Sequence, residues 1–221
     1  MANHLAKGER LLPVDEGAQN QSFSDFRVEL LEAVKAKDAD FLLEITHPKV
    51  SFGGRGGSIE EFKQYWRIDS ANSQLWKELE TILKLGSTFR PKKHESEPNG
   101  KTFVVPYLLE SFPAERLRHG NAVVASNEVT LRAKPNVCSE KVATLGYHIV
   151  RTDLDQSVMT DRGQTSEMMP FTQRYAWFKV VTTAGQEGYV EAQYIRSPMD
   201  YHAFFNNESG KWLMTALVAH S

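Results

Sequence analysis

Hydrophobic positions in this chain follow two different periods, and the change from one to the other divides it. From residue 22 to residue 86, apolar side chains recur three and four residues apart, as on one face of a helix. The first segment ends before Asp38, the second ends at His47-Pro48, and an extended stretch at Val50-Ser51-Phe52 with a glycine-rich break precedes the third and fourth amphipathic segments. We therefore expect a four-helix block over residues 22–86.

Residues that favour helix starts support these segments. Ser22 and Asp38 each precede an apolar-periodic run, where a side-chain oxygen can accept a hydrogen bond from a free backbone N–H. Ser58 is followed three residues later by Glu61, the spacing of a capping box. The sequence thus predicts helix starts at these three positions.

After residue 86 the pattern is typical of strands. Residues 102–109 form an apolar run, and from Asn121 onward apolar and polar residues alternate in short stretches separated by turn residues. Residues 153–170 are polar without a clear period, which predicts a mobile loop. Residues 199–219 form a hairpin with one apolar face, for which we expect inward side chains at Tyr201, Ala203, Phe205, Leu213, Thr215 and Leu217.

These elements predict an α+β fold with a four-helix block, a small sheet and a small β-barrel. A lone hairpin is marginal in water, so the terminal hairpin needs a partner, and the 102–109 strand is available. The predicted organisation is an extended arm at 1–21, a helix-and-sheet unit of 22–110 plus 199–219, and a barrel at 121–197 inserted into that unit.

Composition excludes several classes of protein. The 221 residues carry a formal charge of −2, without the basic excess of proteins that bind duplex nucleic acid. No apolar run approaches the ~20 residues of a membrane span. The single cysteine, Cys138, excludes both an intrachain disulfide and a zinc site built from cysteines. The first residues lack a signal-peptide pattern, so we expect a cytoplasmic protein, or a periplasmic or secreted one if a signal has been removed.

Residues 121–197 resemble a bacterial Src-homology-3 domain. The resemblance rests on dispersed stretches in the right order: Val129-Thr130-Leu131-Arg132-Ala133-Lys134-Pro135, Val142-Ala143-Thr144-Leu145, Trp177-Phe178-Lys179-Val180, Gly185, Gly188-Tyr189-Val190 and Tyr194-Ile195. It covers about a third of the chain and departs from the family by the insertion at 153–170. The resemblance implies a small β-barrel in a bacterial, often secreted protein, with cell-wall peptide or a neighbouring domain as its contact.

Five aromatic residues of this region are candidate ligand-binding residues: Tyr147, Tyr175, Trp177, Tyr189 and Tyr194. Aromatic grooves on related barrels dock extended peptides. Packing is the favoured interpretation for these rings, however, and we expect Trp177 and Tyr189 to face the core at least in part. The leading hypothesis is a non-enzymatic module that binds peptide, a peptidoglycan fragment or another protein. The alternatives are a small-ligand or enzymatic pocket in the helical unit, or a purely structural scaffold.

A glycine-rich loop supplies the other candidate site. Gly54, Arg55 and Gly56 precede a helix start, where anions are favoured, but the lysine and the spacing of a P-loop are missing. A tight turn is the simpler interpretation. The histidines are dispersed, and no cofactor motif accompanies them. We therefore expect no catalytic residue, no metal and no cofactor.

Overall fold

The computed structural model describes residues 5–90, 102–160 and 171–219. The chain forms two compact units. The half-barrel unit consists of residues 1–12 and 112–200, and the sheet unit consists of residues 13–111 and 201–221.

The described residues contain five α-helices and thirteen strands. The helices are α1 (Gln21–Ala36), α2 (Ala39–Glu44), α3 (Ile59–Trp66), α4 (Gln74–Leu83) and α5 (Leu108–Ser111). The strands are β1 (Thr46–Phe52), β2 (Arg55–Gly57), β3 (Thr88–Arg90), β4 (Thr102–Val105), β5 (Asn121–Val124), β6 (Val129–Arg132), β7 (Lys141–Leu145), β8 (Ile149–Met159), β9 (Tyr175–Thr182), β10 (Glu187–Glu191), β11 (Ile195–Arg196), β12 (His202–Glu208) and β13 (Lys211–Val218).

The sheet unit is built on a six-stranded sheet in the order β2-β1-β13-β12-β4-β3. β1 runs parallel to β13, and the other neighbours are antiparallel. The predicted pairing of the terminal hairpin with the 102–109 segment is confirmed, since β12 pairs with β4. The α+β class is also confirmed.

Helices of this unit pack on the sheet. Phe23 of α1 stacks on Phe103 of β4 with ring centroids 4.3 Å apart, and it lies 4.9 Å from Trp212 of β13. Phe62 of α3 meets Phe52 of β1 at 5.6 Å. Four helices form over residues 21–83, but the structure does not support a four-helix block. β1 and β2 lie between α2 and α3 in the chain, and α1 and α3 pack their apolar side chains on strands of the sheet.

The helix starts agree with the sequence at two positions out of three. Asp38 accepts a hydrogen bond from the Phe41 backbone N–H at 3.0 Å, and Ser58 and Glu61 form the predicted capping box. Ser22 is not a cap, because the Asn20 side chain accepts from the Phe23 backbone N–H and so starts α1 earlier.

Two details of the six-stranded sheet differ from what the sequence predicts. The apolar run predicted as strand 102–109 turns into α5 after β4. An irregularity in the β12–β13 pairing between Phe204 and Phe205 shifts the faces of the hairpin, so that Met214 is buried while Leu213 and Thr215 are only partly covered.

The half-barrel unit contains a curled seven-stranded antiparallel sheet in the order β11-β5-β8-β9-β10-β6-β7. Its largest core side chains include Phe178, Leu131, Leu145, Val180 and Ile195, all fully buried. Since each strand alternates between faces, this core fixes which residues point outward. The sheet is a half-barrel, and among the described residues no pairing joins β7 to β11.

The polar stretch predicted as a loop over residues 153–170 is in part a strand. β8 continues to Met159, with Asp153 opposite Lys179 and Val158 opposite Trp177. An irregularity lies between these pairs, where the Ser157 hydroxyl donates to the Asp153 carbonyl at 2.6 Å. Pairing with β9 satisfies the backbone, so polar residues form a strand without an apolar period. Residues 161–170 lie outside the described part.

An N-terminal segment completes this unit. The Ala6 backbone N–H donates to the Thr144 carbonyl at 2.7 Å, and the Leu11 N–H donates to the Tyr147 carbonyl at 2.7 Å. Ala6 belongs to the half-barrel core. The extended chain at residues 5–11 thus lies along the β7 edge.

Candidate binding face of the half-barrel unit

Trp177 and Tyr189 lie on the outer face of the half-barrel sheet. Phe178 and Val190, their chain neighbours, are fully buried in the core, so alternation along β9 and β10 turns Trp177 and Tyr189 the other way. Both rings are half-buried. Trp177 pairs with Glu191 and Tyr189 with Lys179, which makes the two aromatic residues diagonal neighbours, roughly 7–8 Å apart.

A lysine covers one of these rings. The Lys179 ammonium lies 5.4 Å from the centre of the Tyr189 ring and 3.0 Å from the Glu187 carboxylate. Directly across the strands, Asp153 is the partner of Lys179 and Arg132 is the partner of Tyr189. The face therefore combines aromatic surface with charges of both signs.

An exposed apolar edge borders Trp177. Val158 of β8 stands opposite Trp177 and is 40% exposed, although valine usually lies inside. Leu154 and Met159 of the same strand are also exposed. Trp177 and Val158 together form a small apolar surface that no other described residue covers completely.

The other three aromatic candidates occupy different environments. Tyr175 packs against the core, with its ring 4.6 Å from that of Phe178, and Tyr194 also packs against the core cluster. Tyr147 lies in the turn between β7 and β8, at a φ of 58°. The structure therefore places Trp177 and Tyr189 together and does not add the other three to that pair. A ligand-binding role remains a prediction for all five.

The glycine-rich loop is a hairpin turn between β1 and β2. Gly53 and Gly54 form the turn at φ values of 53° and 76°, and Phe52 pairs with Arg55. The Arg55 guanidinium lies 5.4 Å from the Phe52 ring centre and 3.5 Å from the Glu61 carboxylate.

At the start of α3, the Glu61 carboxylate already accepts a hydrogen bond from the Ser58 backbone N–H at 2.9 Å. A ligand anion at Gly54, Arg55 and Gly56 would have to compete with this carboxylate. Anion binding there stays a prediction.

A buried carboxyl group escaped the sequence reasoning. Asp200 follows β11 and accepts hydrogen bonds at 2.9 Å from the Thr172 hydroxyl and from the Ser197 backbone N–H. Burial raises the pKa of Asp200, and these hydrogen bonds only partly oppose it. Nothing in the local sequence marks this aspartate, because its burial depends on residues 28 positions away.

Sequence reasoning also missed a depression on the sheet unit that is lined by residues of five strands. Its members are spread from His47 to Val218, so no spacing motif could reveal it.

Two further findings concern chemistry and membranes. Within residues 5–90, 102–160 and 171–219, no three His, Cys, Asp or Glu side chains cluster as metal ligands would. The same residues include no helix with the length and apolar character needed to span a membrane.

Comparisons with protein-family models, with curated proteins and with solved structures find no match to this chain.

Proposed function

We propose that the half-barrel unit is a Src-homology-3-like module that binds extended peptides, including the peptide part of cell-wall material. The observation that carries the proposal is the outward orientation of Trp177 and Tyr189 beside the exposed Val158. Aromatic rings supply large contact area at low entropic cost, and extended peptides dock against such surfaces.

Charge next to the rings supports a peptide rather than a purely apolar ligand. The cations Lys179 and Arg132 flank Tyr189 on the two neighbouring strands, and the carboxylates of Asp153, Glu187 and Glu191 lie on the same strands or the next; both kinds of charge can meet the polar groups of a peptide backbone or its ends. Because positive and negative side chains both lie beside the rings, they can orient a bound peptide, but they do not attract every charged ligand strongly.

The test is a calorimetric titration of the full chain, once with a proline-rich peptide and once with a soluble peptidoglycan fragment. We expect saturable binding to at least one of them. Trp177→Ala or Tyr189→Ala should weaken it by about tenfold or more, the effect of losing an aromatic hot spot. Thermal unfolding of each variant verifies that the fold is kept.

Phe89→Ala is the matched control, since Phe89 is a partly exposed ring in the sheet unit. Its affinity should equal that of the unchanged chain. The proposal fails if neither ligand binds, or if the three aromatic variants behave alike.

A further inference from the structure

A depression of about 440 Å³ lies on the sheet unit, within the volume range of small-molecule sites. Its lining comes from β1, β13, β12, β4 and β3, five strands that are consecutive in the sheet. At about 4.8 Å between strands, the depression extends roughly 19 Å across the sheet.

The depression is on the face of the sheet that α1 does not cover. Phe103 and Phe205 contact Phe23 of α1, and alternation therefore turns their neighbours Thr102 and Phe204 to the opposite face, where both line the depression. The site is thus distinct from a pocket between helices and sheet.

The centre of the depression is apolar. Phe204, Ala216 and Val218 contribute its hydrocarbon surface. Thr102 and Asn206 add polar groups next to it, and the Thr102 hydroxyl donates to the Asn206 side-chain oxygen at 2.7 Å. A ligand here would bury an apolar body against Phe204 and its neighbours.

Arg90 supplies a cation at one end. Its guanidinium lies 5.2 Å from the Phe204 ring centre. Its Nε is buried and makes no hydrogen bond to any described residue, and the guanidinium forms an ion pair with the Glu110 carboxylate at 3.6 Å. The planar guanidinium has five N–H donors in a fork that matches a carboxylate.

A second cation lies at the other end. Lys49 lines the depression on β1, beside His47. Among the described lining residues the one carboxylate is Glu208, which lies 3.6 Å from the His47 ring nitrogen. A bound molecule therefore meets an apolar centre, with the Arg90–Glu110 ion pair at one end and Lys49 and Glu208 at the other.

We propose that this depression binds a small amphipathic carboxylate, with its carboxylate on Arg90 and its hydrocarbon part over Phe204, Ala216 and Val218. The site lies outside the half-barrel unit, so the inference is independent of peptide binding.

The test uses the full chain and octanoate as the probe, with calorimetric titration. Octanol, which has the same hydrocarbon and no charge, is the ligand control. We expect saturable binding of octanoate and at least about tenfold weaker binding of octanol, because the charge-assisted hydrogen bonds to Arg90 are lost.

Two variants locate the site. Arg90→Gln should weaken octanoate binding by about tenfold, and Val218→Glu should weaken it similarly by placing a carboxylate beside the ligand. Lys211→Gln is the matched control. Lys211 lies on β13 of the same sheet but does not line the depression, and its ammonium pairs with Glu44 of α2. The affinity of this variant should be unchanged.

Equal affinity for octanol and octanoate would overturn the proposed contact between the ligand carboxylate and Arg90. Binding that survives both Arg90→Gln and Val218→Glu in folded protein would overturn the location, and the absence of saturable binding would overturn the proposal as a whole.

Discussion

At the scale of single residues, Gly188 shows how closely two strands approach. A Cβ at this position would lie 2.7 Å from the Arg132 carbonyl oxygen and 2.7 Å from the Leu131 side chain. We expect Gly188→Ala to destabilise the half-barrel unit by about 1–3 kcal/mol, the usual cost of overpacking. Hydrogen exchange of the β9 and β10 amides measures this free energy.

Gly56→Ala is the control for that change, since an added Cβ there meets nothing within 4 Å. Exchange of the β1 and β2 amides should be almost unaltered in that variant. Unchanged protection of β9 and β10 in Gly188→Ala would mean that the strands can separate without cost.

At the scale of elements, His148 connects the N-terminal segment to the β7–β8 turn. The buried ring accepts a hydrogen bond from the Gly146 backbone N–H at 2.9 Å, and its other nitrogen lies 3.0 Å from the Ala6 carbonyl oxygen. This arrangement needs a neutral ring, because protonation would turn the accepting nitrogen into a donor.

Burial lowers the pKa of His148 below its ordinary value of 6.5, although the hydrogen bond to Ala6 opposes the shift. The unfolded chain then binds the proton more tightly than the folded one, so stability is present above the unfolded pKa and is lost as the pH falls through the folded pKa. We expect the exchange protection of the Ala6 and Leu11 amides to fall as the pH is lowered below 6.5, the ordinary pKa of histidine.

His148→Gln should remove that dependence on pH, because an amide does not titrate in this range. His119→Gln, which changes an exposed histidine, should keep it. Protection that is independent of pH in the unchanged chain would contradict the role of His148.

At the scale of the whole molecule, the sheet unit depends on the end of the chain. β12 and β13 lie between β1 and β4 in the sheet, and they contribute the fully buried Phe205 and Met214. A chain that ends at residue 200 lacks both central strands. We expect β1 and β4 to lose hydrogen-exchange protection, while β5, β8 and β9 stay protected because the half-barrel has its own core.

A chain that ends at residue 218 keeps both strands and serves as the control. Protected β1 and β4 amides in the shorter chain would show that the first 111 residues form a stable sheet without the hairpin.

Local physics determined much of the fold in advance. Capping by Asp38 and by the Ser58–Glu61 pair depends on contacts within a few residues, so the sequence predicted both helix starts. The pairing of the terminal hairpin with the 102–105 strand followed from the need of an apolar hairpin for a partner. Alternation along β9 separates Phe178 from Trp177, but the sequence reasoning favoured Trp177 and Tyr189 facing the core, and the structure corrects this by placing both on the outer face.

Tertiary structure decided the features that depend on contacts between residues distant in the sequence. Residues 153–159 form a strand because they pair with β9, and α1 lies on the sheet, where Phe23 stacks on Phe103 of β4. The register shift in the β12–β13 pair cannot be predicted from simple alternation along a strand, and in the structure Met214 is buried while Leu213 and Thr215 are not. The depression beside Arg90 is lined by residues of five strands that become neighbours only in the folded sheet. The sequence shows the chemistry of each side chain, but it does not show which distant side chains lie close together.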